Sequence, residues 1–146
     1  MRESNFTNFE YLPKTADVRF RAFGKDFNEL LRNCLRALIN SMVDYKKIKK
    51  QKKKIIELRA NSLEKLLIKF LEEIIFLMDA ESFLAADLEK IDLKNNKDEF
   101  VLKALIVGDD NLKNYDFSLI VKAVTYNDFV FKKEKDNYVV EITLDV

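Results

Sequence analysis

Two aspartates are the residues of this sequence whose placement best suggests chemistry. Asp17 opens the alternating segment DVRFRAF, and Asp145 lies on the polar side of the alternating segment near the C-terminal end. Two carboxylates brought together repel each other unless one is protonated or a cation lies between them. With oxygen ligands and 0 histidines, that cation would be a hard ion, Ca²⁺ or Mg²⁺. The alternative is a pair of ordinary surface aspartates, because periodicity does not show which strands are neighbours.

The absence of histidine limits the other chemistry open to the chain. It removes imidazole acid–base catalysis, Ser–His and Cys–His nucleophile pairs, and zinc sites that use imidazole. The single cysteine, Cys34, lies on the apolar stripe of a predicted helix, which favours a buried and inert thiol. Any catalysis would therefore use carboxylates, lysines, tyrosines or a metal ion.

A run of lysines at residues 46–54 is the strongest local charge feature. It holds seven lysines and no acidic residue, although the whole chain has a net charge of only +1. The run connects a predicted helix to a predicted strand and contains no aromatic residue, which favours a solvated connector. The alternative is a surface that binds RNA directly, because clustered ammonium groups displace the counterions of nucleic acids.

Length and composition indicate one domain over residues 1–146. The chain has 146 residues, 48% of them hydrophobic, with only 2 glycines and 1 proline, which is typical of a globular protein with one core. No apolar run approaches the roughly 18 residues that a membrane span needs, so we expect no membrane association. One cysteine excludes an intramolecular disulfide and no signal peptide is recognisable, so we expect a cytoplasmic location.

Hydrophobic periodicity predicts two helices and several strands around these residues. Asp26, as N-cap with Glu29 behind it, predicts a helix over residues 26–43, and Asn61 with Glu64 opens a second helix whose apolar stripe reaches Met78. Alternation predicts strands at residues 17–23, 54–60, 83–93, 100–107, 119–131 and 138–144. We therefore predict an α+β fold, with one mostly antiparallel sheet carrying two helices on one face.

Three segments resemble the archease family. They are FEYLPKTADVRFRAFG at residues 9–24, VKAVTY at residues 121–126, and the ending Leu144-Asp145-Val146. The second helix and the residues after it also follow the family pattern, so the similarity runs from about residue 9 to the end of the sequence. Two positions depart from it, because Lys14 and Asn127 stand where the family usually has histidine.

The resemblance implies a single SHS2-like domain with an inserted β-hairpin, and an accessory protein rather than an enzyme. It implies activation of the RNA ligase RtcB in tRNA splicing and RNA repair, by promoting guanylylation of the ligase from GTP and multiple turnover. The metal site of the family corresponds to Asp17 and Asp145, completed by the terminal carboxylate of Val146, and Ca²⁺ is favoured over Mg²⁺. Lys122 is a candidate for contacting the ligase or its nucleotide, and contact with RNA is expected to be indirect or weak.

Three alternatives stay open at this point. The first is a chaperone-like modulator of a tRNA methyltransferase, a role also proposed for archease-like proteins. The second is a stand-alone metal-dependent hydrolase in which Asp17 and Asp145 would activate a bound water. The third is a direct RNA-binding protein that uses the lysine run.

Overall fold

The computed structural model describes residues 8–14 and 16–146. In these residues the elements follow one another in an order that confirms the α+β class. The strands and helices are β1 (Phe9–Leu12), β2 (Val18–Gly24), α1 (Phe27–Met42), β3 (Lys52–Ala60), α2 (Leu63–Glu81), β4 (Leu84–Asn96), β5 (Glu99–Asp109), β6 (Ala123–Glu134) and β7 (Asn137–Asp145). Short 3₁₀ turns lie at Tyr45–Lys47 and Leu112–Asn114.

The strands form two antiparallel sheets rather than the one sheet that we expected. One sheet has four strands in the order β1-β2-β7-β6, and the other has three in the order β3-β5-β4. In the three-stranded sheet, β4 and β5 form a hairpin, and β3 pairs with the other edge of β5 in a ladder from Lys52↔Gly108 to Ala60↔Phe100. Periodicity identifies the strands but not their partners, which is why the division into two sheets was not predicted.

The residues group into two compact units. The first comprises Met1–Asp44 and Asp116–Val146, and it contains the four-stranded sheet with α1. The second comprises Tyr45–Tyr115, and it contains the three-stranded sheet with α2. The assignment of residues 1–146 to a single domain stays a prediction.

The core of the first unit lies between α1 and one face of the four-stranded sheet. Val18, Phe20 and Ala22 of β2 and Ile142 and Leu144 of β7 are buried, and α1 contacts β1, β2 and β7. The buried stripe of α1 contains Leu30, Leu31, Cys34, Leu35 and Leu38, as its three-and-four spacing predicted. Cys34 is fully buried, as predicted, and this burial raises the pKa of its thiol, which therefore stays protonated at neutral pH.

The predicted capping box of α1 is confirmed. The backbone N–H of Glu29 donates to Asp26 Oδ1 at 2.8 Å, and the backbone N–H of Lys25 donates to Glu29 Oε1 at 3.2 Å. The N-cap of α2 is Ser62 rather than Asn61, because Ser62 Oγ accepts from the backbone N–H of Lys65 at 3.2 Å. The two residue types are nearly equivalent as caps, so the sequence alone did not separate them.

The strand predicted at residues 119–131 begins later, at Ala123. The residues before it are tied to the end of α1, where the Ser118 N–H donates to the carbonyl of Met42 at 2.7 Å and the Val121 N–H points to Met42 Sδ at 3.4 Å. Val121 is fully buried in this anchored segment, and the paired ladder with β7 begins only at Ala123. Within the described residues, no helix is long and apolar enough to cross a membrane.

Gly24 ends β2 where the first turn of α1 comes closest to the sheet. A Cβ atom at this position would lie 2.7 Å from Leu30 Cα and 2.8 Å from the carbonyl oxygen of Asp26. We expect Gly24→Ala to lower the free energy of unfolding by about 1–3 kcal/mol, because the backbone of α1 would have to move. Urea denaturation tests this, with the exposed Lys25→Ala as the control, and equal stability of Gly24→Ala and the unsubstituted protein would contradict it.

Candidate functional site

The pairing of β2 with β7 places Asp17 beside Asp145. Val18 is paired with Leu144, so Asp17 lies one residue before the ladder and Asp145 one residue after it on the opposite strand. Val18 and Leu144 are buried, whereas Asp17 is half-buried and Asp145 is exposed. Opposed residues of antiparallel strands have Cα atoms roughly 4.5–5.5 Å apart, so the two carboxylates start from neighbouring backbone positions.

Lys122 and Val146 lie at the same end of the four-stranded sheet. The backbone N–H of Lys122 donates to the carbonyl oxygen of Asp145 at 2.7 Å, and the next residue, Ala123, is paired with Asp145. The Lys122 side chain is exposed, and the half-buried Val146 follows Asp145 directly. The fold thus brings together all four residues that the sequence singled out, and we call this end of the sheet the carboxylate end.

The chain enters β2 through an unusual backbone conformation beside Asp17. Ala16 has φ of 70°, in the left-handed region that costs a residue other than glycine about 1–2 kcal/mol. Backbone strain of this kind is concentrated at functional sites, where surrounding structure holds it in place. The conformation at Ala16 therefore marks the carboxylate end as a region with a fixed local geometry.

A chain of mostly half-buried charges supports the sheet behind the carboxylate end. Arg19 Nη2 donates to Glu141 Oε1 at 2.6 Å and Arg19 Nη1 donates to Thr143 Oγ1 at 3.0 Å, with the Arg19 and Glu141 side chains only 11% and 16% exposed. Arg21 contacts the other carboxylate oxygen of Glu141 at 2.9 Å and Glu10 Oε1 at 2.5 Å. These side chains form a chain of alternating charge across β1, β2 and β7.

The charges in this chain fix one another's ionisation state. Burial by itself would raise the pKa of Glu141, but hydrogen bonds from Arg21 and Arg19 outweigh it and hold that pKa below its ordinary value. The same hydrogen bond from Arg21 to Glu141, with a second to Glu10, raises the pKa of Arg21. The carboxylate of Glu141 and the guanidinium group of Arg21 are therefore charged at neutral pH.

An irregular segment of β6 arches over this polar face. Thr125 is paired with Thr143 and Val130 with Glu141, so residues 126–129 lie opposite a single residue of β7. The arch is held by Arg19 Nη2, which donates to the Asp128 carbonyl at 2.8 Å, and by Thr143 Oγ1, which donates to the Asn127 carbonyl at 2.9 Å.

The arch also contacts the segment that precedes β2. Asp128 has φ of 54°, and its carboxylate accepts from Lys14 Nζ at 3.4 Å. Lys14 and Asn127 are the two departures from the archease pattern. Lys14 forms the ion pair with Asp128, and Asn127, the residue before Asp128, accepts a hydrogen bond from Thr143 through its backbone carbonyl. The alternation of the sequence already placed Arg19 and Arg21 on the polar face of their strand. Nothing in the sequence indicated the arch.

The donor set at the carboxylate end fits a hard divalent cation. It offers carboxylate oxygens from Asp17 and Asp145, the ligands that Ca²⁺ and Mg²⁺ prefer. Two side-chain carboxylates leave coordination positions for water or for groups of a partner, because Ca²⁺ takes about 6–8 oxygen ligands. Residues 8–14 and 16–146 contain no group of three or more His, Cys, Asp or Glu that could hold a metal ion.

These features define a small α+β protein with two antiparallel sheets and an acidic end on one of them. Residues 9–146 match the model of the Archease protein family (MTH1598/TM1083). The chain is 30% identical over 139 residues to protein archease of Methanosarcina barkeri, covering 94% of this chain and 95% of that protein. It is 32% identical over 142 residues to protein archease of Pyrobaculum neutrophilum, covering 95% of each. The chain belongs to the archease family.

Two solved structures share the fold. The solution structure of Methanobacterium thermoautotrophicum protein 1598 aligns with a TM-score of 0.83 at 22% identity, over 97% of this chain and all of that one. The crystal structure of an archease from Thermotoga maritima, described as a possible chaperone, aligns with a TM-score of 0.60 at 17% identity, over 100% of this chain and 98% of that one. At these identities the likeness concerns the fold alone.

Glu141 makes the stability of the protein dependent on pH. Because its folded pKa lies below the ordinary value of 4.5, its contribution is complete above that value and is lost as the pH falls through the folded pKa. We expect Glu141→Gln to destabilise the protein by about 1–3 kcal/mol at neutral pH and to flatten the loss of stability in acid.

Urea denaturation at a series of pH values measures both effects. Glu134→Gln is the control, because Glu134 is 57% exposed in its ion pair with Lys132 and should contribute less than about 0.5 kcal/mol. Parallel acid profiles for Glu141→Gln and the unsubstituted protein would contradict the role given to Glu141.

Proposed function

We propose that this protein activates an RtcB-type RNA ligase in tRNA splicing and RNA repair, by promoting guanylylation of the ligase from GTP and thereby multiple turnover. The observation that carries the proposal is the placement of Asp17 and Asp145 at one end of the four-stranded sheet, through the register of β2 and β7. Membership of the archease family supports it. In this role the protein is an accessory factor and the ligase performs the chemistry.

The carboxylate end would act by presenting charge to the ligase from a rigid support. Asp17 and Asp145 would hold the divalent cation, with Ca²⁺ favoured over Mg²⁺ and Val146 as a proposed third ligand through its carboxylate. A cation bound there would neutralise part of the phosphate charge of a nucleotide. The positions left open by two side-chain carboxylates suit ligands from the ligase or its nucleotide, so binding should be tighter in the assembly than in the isolated protein.

Lys122 is the proposed second contact with the ligase or its nucleotide. Its backbone is fixed by the hydrogen bond to Asp145, while its exposed side chain is available to an approaching partner. An ammonium group is a compact charge that pairs well with phosphate. Lys122 thus offers a positive charge at the same end of the sheet that carries the two carboxylates.

Asp17→Asn and Asp145→Asn test this function, because each removes one charge with little change in shape. With limiting ligase, GTP and a divalent ion, we expect each variant to lose at least about tenfold in multiple-turnover RNA ligation and in the rate of guanylylation. A ligase that has been guanylylated beforehand should complete its first round of joining equally well with either variant. This result would place the defect in guanylylation.

Asp136→Asn is the matched control, since this exposed aspartate lies in the turn between β6 and β7, at the other end of the same sheet. It should activate the ligase as well as the unsubstituted protein. Folded Asp17→Asn and Asp145→Asn variants that restored multiple turnover in full would contradict the role of the carboxylates. No activation of an authentic ligase by the unsubstituted protein would contradict the function itself.

A chaperone-like modulator of a tRNA methyltransferase is the second candidate function. The description of the Thermotoga maritima archease as a possible chaperone favours it. A pull-down from the native source, with this protein as bait, separates the two candidate functions by showing which enzyme it captures. Recovery of the methyltransferase, together with unchanged ligase turnover, would favour the second candidate.

A further inference from the structure

We infer that the segment of residues 46–54, which we call the lysine loop and whose last three residues begin β3, is a contact surface for the phosphate backbone of single-stranded RNA. The inference goes beyond ligase activation, and only the choice of RNA over other polyanions rests on the proposed function. The loop lies within the compact unit Tyr45–Tyr115, whereas the carboxylate end belongs to the other unit. The lysine loop therefore shares no residue with the carboxylate end.

The backbone of the lysine loop is anchored, although its lysine side chains are mostly exposed to solvent. Ile48 at its centre is only 5% exposed, and its N–H donates to the carbonyl of Tyr45 at 3.3 Å. The N–H of Lys49 donates to Tyr115 Oη at 3.0 Å, and the N–H of Gln51 donates to the carbonyl of Gly108 at 2.9 Å. These contacts hold the backbone, so that the lysine side chains project from defined positions.

Ion pairs within the protein engage only some of the lysines. Lys53 pairs with Glu89 at 3.5 Å and Lys54 pairs with Glu81 at 2.6 Å, so both charges are already balanced. The exposed lysines that remain for an external anion are Lys47, Lys49, Lys50 and Lys52. They place four exposed positive charges within six consecutive residues.

The nearest acidic residue on β5 does not cancel this surface. Asp109 is only 2% exposed, and its carboxylate accepts from Tyr115 Oη at 2.5 Å. That hydrogen bond lowers the pKa of Asp109, and the positive charge of Lys49 makes a smaller contribution in the same direction. The hydrogen bond to Asp109 also holds Tyr115 in place, where Tyr115 Oη accepts from the backbone N–H of Lys49. Asp110 is exposed beside it and leaves the lysines in excess.

The chemistry of the loop favours a polyphosphate chain over a lipid surface. Its one strongly apolar residue, Ile48, is buried, and the exposed Ile55 that follows the loop is a single apolar side chain, so the segment has no apolar face to insert among acyl chains. Lysines without interleaved aromatic residues bind phosphates through charge and give little preference for sequence. For four phosphate contacts to single-stranded RNA, the logarithm of affinity should fall against the logarithm of salt with a slope of about −3.

The test measures binding of the full chain to a fluorescent single-stranded RNA by anisotropy, in the absence of any ligase. Affinity should fall by about 50-fold between about 50 and about 200 mM salt. A variant with Lys47, Lys49, Lys50 and Lys52 all replaced by glutamine should bind at least about tenfold more weakly at the lower salt, with a slope close to zero. The control replaces four scattered exposed lysines with glutamine, Lys25, Lys65, Lys97 and Lys135, for the same change in net charge, and it should keep most of the affinity.

Several outcomes would overturn the inference. They are equal losses in the two quadruple variants, RNA binding that does not respond to salt, and no binding at the lower salt. Tighter binding to phosphatidylserine vesicles than to RNA, lost with the same four lysines, would assign the loop to a membrane surface instead. Because the assay contains no ligase, its failure would leave ligase activation untouched, and a failure of ligase activation would leave RNA binding standing.

Discussion

The pairing of β2 with β7 is the interaction on which the first unit depends. The ladder runs from Val18↔Leu144 to Gly24↔Tyr138 and joins segments from the two ends of the sequence as the central strands of the four-stranded sheet. One face of this ladder is apolar and packs against α1, so its register is fixed by burial. A shift by one residue would expose that face and would also separate Asp17 from Asp145.

The polar face of the same ladder gives the carboxylate end its rigid support. Arg19 contacts Glu141, Thr143 and the backbone of the arch, so one guanidinium group ties β2 to both β7 and β6. Breaking a buried charge pair leaves the remaining charge without compensation, which makes such a network costly to disturb. The ion pair of Lys14 with Asp128 extends the connection to the segment before β2. The strands that carry Asp17 and Asp145 are therefore held from both sides.

The sequence predicted the elements well because their signals are local. The capping box of α1, its buried stripe and the polar placement of Asp17 and Asp145 each depend on residues a few positions apart. Pairing is not a local property, so neither the proximity of the two aspartates nor the separation into two sheets followed from periodicity. The network of Arg19 with Glu141 was missed for the same reason, since these residues are 122 positions apart. The resemblance to archeases is what suggested that the two aspartates lie close together, and the ladder of β2 and β7 is the physical reason why they do.

The position at which a divalent cation binds is the most direct test of whether Asp17 and Asp145 form one site. In an NMR titration with Mn²⁺, a paramagnetic substitute for Ca²⁺ or Mg²⁺, we expect the backbone amide signals of Asp17, Lys122 and Asp145 to broaden before those of other residues. Asp145→Asn should weaken the broadening at Asp17 as well, because the two carboxylates would share one ion. Early broadening at other acidic residues, or broadening at Asp17 that is unchanged in Asp145→Asn, would contradict the claim that the two form one site.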